Sequence, residues 1–523
     1  MCSSHQSKQE RLALQECLDA LKSRDEKNRL GQFATPTELA QQIVSYSLTL
    51  LPSESKIRFL DPAIGTGAFY SALLASVSLN RIVQAQGFEV DPHYGIPAQR
   101  LWGHTPLNIE IADFTKTEPP SNNSNRFNLL ICNPPYVRHH HISNADKVRL
   151  QYDAKSSCGL STNGLSGLYC YFILLSHRWM SRNAVAGWLV PSEFMDVNYG
   201  QAIKRYLTEK VTLIRFHRFD PNDLQFNDAL VSSAVICFRN QKPNPDHQVV
   251  FTFGGTLEKP YIQKKIALNV LRADIKWSRF PKESVRKDVA SLTMGDLFVI
   301  KRGIATGSNK FFILSQREIL DRNLPMECFR PIFPSPRYLK SDEVIADSDG
   351  NPQIDPQHYL LDCHLSEYEI KVRYPSLSEY LQTGKPVVSE RYLCRHRKPW
   401  YYQEERRPAP ILCTYIGRTN TKRGRPFRFI LNYSRAVAPN VYLMLYPRPF
   451  LLSNLRHRPE LLRQLWLILN QIDVSLLLQE GRVYGGGLHK LEPRELARVS
   501  ALPLIPLVPE AARDLAVQLQ FSL

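Results

Sequence analysis

Between residues 57 and 238, short apolar runs alternate with helix-like stretches, and this alternation constrains the fold more than any other feature of the chain. Residues 57–60 form an apolar run, followed by a glycine turn and a helical stretch at 68–78. Segments 87–90, 108–112, 129–132, 185–190, 211–216 and 231–238 read as further strands, with helices predicted at 169–180 and 203–209. This βαβ alternation predicts an α/β domain with a doubly wound, mostly parallel sheet. Such a sheet places ligands at the carboxyl ends of its strands.

Polar groups stand at those strand ends. Asp61-Pro62-Ala63-Ile64-Gly65-Thr66-Gly67-Ala68-Phe69 follows the first strand and opens a helix. Gly65 and Gly67 allow a tight turn and close approach to a ligand, and a helix N-terminus favours electronegative groups. The third glycine of the dinucleotide fingerprint is missing. Glu89, about 22 residues after Gly67, is placed to accept ribose hydroxyls. Asp113 ends the third strand beside Phe114, an acid to read an amine next to a ring for stacking. Each acid taken alone reads equally well as a loop residue or helix cap; three at consecutive strand ends point to a ligand. The strand 129–132 then ends in Asn133-Pro134-Pro135-Tyr136. Those residues offer an amide, a carbonyl with no amide hydrogen next door, and an aromatic ring. Together they can hold a flat base and accept both hydrogens of its exocyclic amine.

A chain of 523 residues accommodates about two to four domains. No apolar run reaches the roughly 18 residues of a membrane span, and the polar N-terminal stretch does not resemble a secretory or transit peptide. Ten cysteines without a Cys-x-x-Cys pair indicate neither a zinc site nor a disulfide framework, so a reducing cytoplasm is the expected location. Of the net charge of +17, residues 1–260 carry 26 basic and 23 acidic side chains, whereas residues 261–523 carry 40 and 26. The excess peaks in 391–428, with 11 Arg or Lys against two Glu among Trp400, Tyr401, Tyr402 and Tyr415. Cations mixed with aromatics suit a nucleic-acid surface, with Arg395, Arg397, Lys398, Arg418, Lys422, Arg423 and Arg425 as candidates. A solvated basic face is the alternative. Proline- and glycine-rich sequence at 240–260 suggests a border. The expected organisation is an N-terminal helical arm (1–30), a first domain (31–245) and an irregular α+β domain (260–523) with a helix at 460–472.

In order and content, these motifs resemble the gamma group of DNA amino-methyltransferases from bacterial type II restriction–modification systems. Gly31-Gln32-Phe33-Ala34-Thr35-Pro36 is similar to their N-terminal cofactor motif, and Asn133-Pro134-Pro135-Tyr136 matches their catalytic tetrapeptide. Phe226-Asn227-Asp228-Ala229-Leu230-Val231-Ser232 resembles an element whose Phe packs on the flipped base. Segments beginning at Arg302 and Tyr484 resemble recurring parts of the second domain. The resemblance implies a Rossmann-like class I methyltransferase fold followed by a target-recognition domain. S-adenosylmethionine would lie across Thr35, Pro36, Asp61, Ala63, Gly65, Gly67, Glu89, Asp113 and Phe114. Asn133, Pro134, Pro135, Tyr136 and Phe226 would hold a flipped adenine. The implied partners are double-stranded DNA and a separate restriction endonuclease, and the enzyme would be a bacterial cytoplasmic monomer.

Other readings compete. Without the family pattern, Phe226 reads as a core residue. His139-His140-His141 on a loop lacks the several-element ligand set of a metal site. Asp355 or Asp362 with Glu369 and Lys371 has loose nuclease spacing, yet reads better as a solvated helix face. Methylation of a cytosine amine shares the same chemistry, a protein glutamine amide is a flat alternative substrate, and a catalytically silent DNA-binding subunit is the non-enzymatic reading.

Overall fold

The computed structural model describes residues 2–23, 26–27, 30–220, 232–280, 292–418, 425–484 and 487–508. The chain divides into two compact units, Met1–Arg286 with Tyr484–Gly486 and Lys287–Val483 with Gly487–Leu523.

In the first unit the strands are β1 (Ile57–Asp61), β2 (Ile82–Glu89), β3 (Leu107–Ile111), β4 (Phe127–Cys132), β5 (Met180–Pro191), β6 (Thr212–Arg218), β7 (Ser233–Arg239), β8 (Gln248–Gly255) and β9 (Pro260–Ala267). They join one sheet in the order 3-2-1-4-5-7-6-8-9. Neighbours from β3 to β5 run parallel, and β7 lies antiparallel to both β5 and β6. Strand order reverses between β1 and β4, so a ligand crevice opens beyond their carboxyl ends.

Both faces of the sheet are covered. Phe59, Leu129 and Ile131 point to the side of the helices Thr37–Thr49 and Ala68–Ser76. Leu60, Leu130 and Cys132 point to the side of Asn144–Cys158 and Leu168–Leu175. Because successive side chains alternate between faces, strands buried on both sides read as the continuous apolar runs seen in the sequence.

Two boundaries differ from expectation. The helix predicted over 169–180 ends at Leu175, and Met180 already opens β5; an apolar run does not itself distinguish a buried helix from a buried strand. Gly254 and Gly255, expected at a domain border, have φ of +65° and +64° and close β8, where Gly255 pairs with Pro260 of β9. Strands β8 and β9 therefore extend the first unit beyond residue 245. Charged and polar residues on β9 make it a protected edge.

The second unit contains a five-stranded sheet ordered Phe298–Arg302, Tyr442–Pro447, Ile411–Thr414, Phe429–Asn432 and Glu343–Val344. Leu461, Leu465 and Leu469 of helix Glu460–Gln471 share a core cluster with Phe298, Ile411 and Phe429 of that sheet. Among the described residues no single helix is long and apolar enough to cross a membrane.

Candidate active site

Asp61 ends β1, and the chain then turns through Gly65 (φ +53°) and Gly67 (φ +88°) into helix Ala68–Ser76. At Gly67 a Cβ would come within 2.5 Å of Trp102 Nε1, the group that donates to the Thr66 carbonyl at 2.9 Å. From the end of β2, Glu89 reaches back: Oε2 accepts from Gly65 N at 3.0 Å and Oε1 from Asp91 N at 2.9 Å. These bonds favour its ionised form, but burial dominates and pushes the carboxyl up to about 7. Burial likewise raises Asp61 to about 8 against the hydrogen bond from Ala63 N. Two buried carboxyls raised in this way at adjacent strand ends make this crevice the candidate site.

Asn133 follows β4. Its Nδ2 donates to the Phe33 carbonyl at 3.0 Å and to Thr35 Oγ1 at 3.1 Å. That contact orients the amide, since the reverse placement would set two oxygens against each other. Asn133 Oδ1 is left buried without a hydrogen-bond partner, a condition that costs about 1–3 kcal/mol unless a ligand relieves it. The 31–35 segment is pinned to the tetrapeptide: Tyr136 N donates to Gly31 O at 3.0 Å, and a Cβ at Gly31 would sit 2.4 Å from that nitrogen. Tyr136 lies 5.6 Å from the Phe33 ring, and its hydroxyl donates to the Leu189 carbonyl at 3.3 Å.

A cavity of about 280 Å³ joins these elements. Of the residues singled out by sequence, Ala63, Gly65, Glu89, Asp113, Phe114, Asn133 and Pro135 line it. Thr35, Pro36 and Asp61 act from behind. Thr35 steadies Asn133, Pro36 is the N-cap residue of helix Thr37–Thr49, and Asp61 accepts from Ala63 N. Asp113 Oδ1 caps a short turn, accepting from Thr115 N at 3.0 Å and Thr115 Oγ1 at 2.8 Å. Phe114 packs on Phe88 and Phe172. Phe226 lies outside the described residues.

Part of the wall carries no sequence motif. Gln15 and Asp19 of the N-terminal helix Cys2–Ala20, Tyr94, and Leu168 and Phe172 also line the cavity. The helix is held down by the buried Arg11, whose Nη2 donates to Thr37 Oγ1 at 2.9 Å. Thr66 donates to Gln15 Oε1 at 2.6 Å, Tyr94 to Asp19 Oδ1 at 2.7 Å, and Lys22 pairs with Asp91. Only the reading of residues 1–30 as a helical arm hints at this role.

In the second unit the basic stretch splits into two kinds of residue. Arg395, Lys398, Arg418 and Arg425 are exposed, although Arg425 donates to the Asn470 carbonyl. Arg397 is structural, donating to the carbonyls of Ala305 and Thr306 and to Gln403. Tyr401 and Tyr415 are core residues, with hydroxyls bound to the Leu365 carbonyl and to Glu492. The expectation that these two rings belong to a nucleic-acid surface is therefore corrected. Lys422 and Arg423 lie outside the described residues. Asp362 pairs with Arg330 at 2.8 Å, and Glu369 caps its own helix through Ser366, the geometry of a solvated helix start.

Strand order 3-2-1-4-5-7-6 with an antiparallel β7, and a crevice lined by the β1, β2, β3 and β4 ends, define a class I S-adenosylmethionine-dependent methyltransferase fold. Residues 38–225 match the family described as Eco57I restriction-modification methylase, and residues 281–520 match the C-terminal domain of type II methyltransferase M.Eco57I. The chain is 25% identical over 514 residues to type II methyltransferase M.AccI of Acinetobacter calcoaceticus, covering 92% of this chain and 87% of the relative. It is 26% identical over 490 residues to M.XamI of Xanthomonas campestris pv. amaranthicola, covering 90% and 85%. Over most of its length the chain is therefore similar to type II restriction–modification methyltransferases. A type IIL restriction-modification enzyme solved with DNA aligns at TM-score 0.49 and 13% identity, over 80% of this chain and 60% of that one. The chain thus spans about 60% of that enzyme's length.

Proposed function

We propose that this chain is a site-specific DNA adenine-N6 methyltransferase using S-adenosylmethionine, the modification enzyme of a restriction–modification system. The observation that carries the proposal is the buried, unpartnered Oδ1 of Asn133, a residue that lines the cavity. An acceptor held this way by its own Nδ2 contacts demands a donor from a ligand, and an exocyclic amine supplies one.

The cavity suits the cofactor. Glu89 offers a carboxylate to vicinal hydroxyls, Asp113 an acceptor for an amine, and Phe88, Phe114 and Phe172 apolar surface for a flat ring. S-adenosylmethionine bound there supplies an electrophilic methyl group. The rest of the chemistry belongs to the chain. An adenine amine is a poor nucleophile because its lone pair is delocalised into the ring. With its hydrogens accepted by Asn133 Oδ1 and the Pro134 carbonyl, the nitrogen pyramidalises and its lone pair points toward the methyl. Positioning and stabilisation of developing charge supply the rate; no base has to remove a proton before attack.

A paired base reaches this strand end only by flipping out, at a cost of a few kcal/mol. Stacking on Tyr136, with Phe226 as the opposite wall, recovers about 1–3 kcal/mol. The second unit serves as the target-recognition domain, with exposed Arg395, Lys398, Arg418 and Arg425 and the further candidates Lys422 and Arg423 on phosphates. A separate endonuclease acting on the same site in the bacterial cytoplasm completes the system.

Nucleoside analysis and modification-sensitive sequencing of DNA from cells expressing the protein test this reading. N6-methyladenine confined to one sequence context supports it. N4-methylcytosine would transfer the same geometry to cytosine, and unmodified DNA would refute the proposal.

A further inference from the structure

A second cavity, of about 620 Å³, lies at the other end of the same strands. Arg126 at its edge precedes β4, whereas Asn133 follows β4. Seven residues of extended chain span roughly 23 Å, so no ligand of ordinary metabolite size touches both sites.

The lining is unusual in charge. Arg126, Arg182, Lys210 and Lys242 contribute positive charge beside His177, and none of the nine lining residues is Asp or Glu. Among the described residues the two arginines and two lysines make no ion pair. Glu209, the carboxylate beside Lys210 in sequence, is engaged by Arg205 at 2.9 and 3.1 Å. Arg126 Nε is buried and has no hydrogen-bond partner. The wall is rigid where it matters: Asn240 Nδ2 donates to the carbonyls of Met180 and Ser181 at 3.3 and 3.0 Å, and His177 Nδ1 lies 3.1 Å from the Tyr206 hydroxyl. Burial, with Lys210 and Arg126 nearby, lowers His177 below its ordinary range.

Four cations that line one cavity and make no ion pair among the described residues repel one another, with Glu209 acting on Lys210 while bonded to Arg205, and a buried guanidinium nitrogen without an acceptor adds its own penalty. A multiply charged anion relieves both. No Phe, Tyr or Trp lines the cavity, so a base has no ring to stack on and recognition falls on phosphate oxygens. The volume lies within the range of ordinary ligand pockets, about 300–1,000 Å³, and admits several linked phosphoryl groups. We propose that this cavity is a binding site for a polyphosphate-bearing ligand, separate from the methyl-transfer site.

Calorimetric titration of the full chain with tripolyphosphate at low salt tests the proposal. Arg182 and Lys242 are exposed, so an Arg182→Gln/Lys242→Gln variant leaves the fold undisturbed; Arg126→Gln is the second variant. The expected result is saturable one-to-one binding, weakened at least about tenfold in the double variant and further by Arg126→Gln. An Arg395→Gln/Lys398→Gln control and S-adenosylmethionine affinity should remain unchanged. Two further arms identify the source of the phosphates. Competition by ATP at the affinity of tripolyphosphate identifies a free nucleotide. A salt slope for duplex DNA reduced by about two in the double variant, without ATP competition, identifies the DNA backbone. Absence of saturable binding, or equal binding by wild type and double variant, overturns the proposal.

Discussion

Gly65 and Gly67 look equivalent in the sequence, but alanine at the two positions should behave very differently. Both have positive φ, so alanine pays about 1–2 kcal/mol at either one for the left-handed conformation. Around Gly65 nothing lies within 4 Å of the added Cβ, and this residue lines the cavity. Around Gly67 the Cβ meets Trp102 Nε1 at 2.5 Å, and Trp102 is fully buried. Moving that indole strains the core and breaks its bond to Thr66 O. With the backbone cost, Gly67→Ala totals roughly 3–6 kcal/mol. Urea unfolding is the assay. Two compact units need not unfold together, so the relevant transition is the one that S-adenosylmethionine raises in the wild-type protein. Gly67→Ala should shift that transition far more than Gly65→Ala, whereas Gly65→Ala should mainly weaken cofactor affinity. Equal shifts, or a larger one for Gly65→Ala, would refute the packing argument.

In the proposed cofactor site, Glu89 makes affinity depend on pH. Its carboxyl sits at about 7 in the free protein, and hydroxyl donors favour the ionised form, so binding releases a proton. Affinity should therefore fall by up to about tenfold per unit as pH drops below 7 and level off above it; calorimetry that finds no pH dependence between 5.5 and 8 contradicts this. Tyr94→Phe removes the 2.7 Å bond to Asp19. At about 1.5–3 kcal/mol for a charge-assisted bond, amide exchange in helix Cys2–Ala20 should rise about tenfold or more, with cofactor affinity declining in parallel. Tyr401→Ala should destabilise the second unit by about 3–5 kcal/mol, because its ring is core. Arg395→Gln and Lys398→Gln should leave stability unchanged and each lower the DNA salt slope by about one, as measured by binding at several salt concentrations.

The first unit was legible because its strands are buried on both faces and end in residues with chemical character. Phe59 and Leu60 enter opposite cores, so the run reads as apolar throughout, and Asp61, Glu89, Asp113 and Asn133 follow at the strand ends where a parallel sheet binds ligands. The N-terminal wall was not legible. Gln15, Asp19 and Tyr94 are ordinary helix-surface residues until the fold brings them together. The aromatics of 391–428 were misread for a related reason. Tyr401 and Tyr415 bury their rings while their hydroxyls find partners, and composition does not distinguish an aromatic facing inward from one facing DNA. Arg397 belongs with them, since a guanidinium that ties three acceptors in place has the same letter as one that meets a phosphate.

The most direct test of the account is the rate of methyl transfer to duplex DNA by Asn133→Ala, measured together with S-adenosylmethionine affinity. With the role proposed for Asn133 Oδ1, its loss should lower turnover by at least about 10²–10³-fold, with cofactor affinity within a few-fold of wild type. Turnover within tenfold of wild type at unchanged affinity would contradict the assignment of Asn133 Oδ1 as the group that receives the reacting amine.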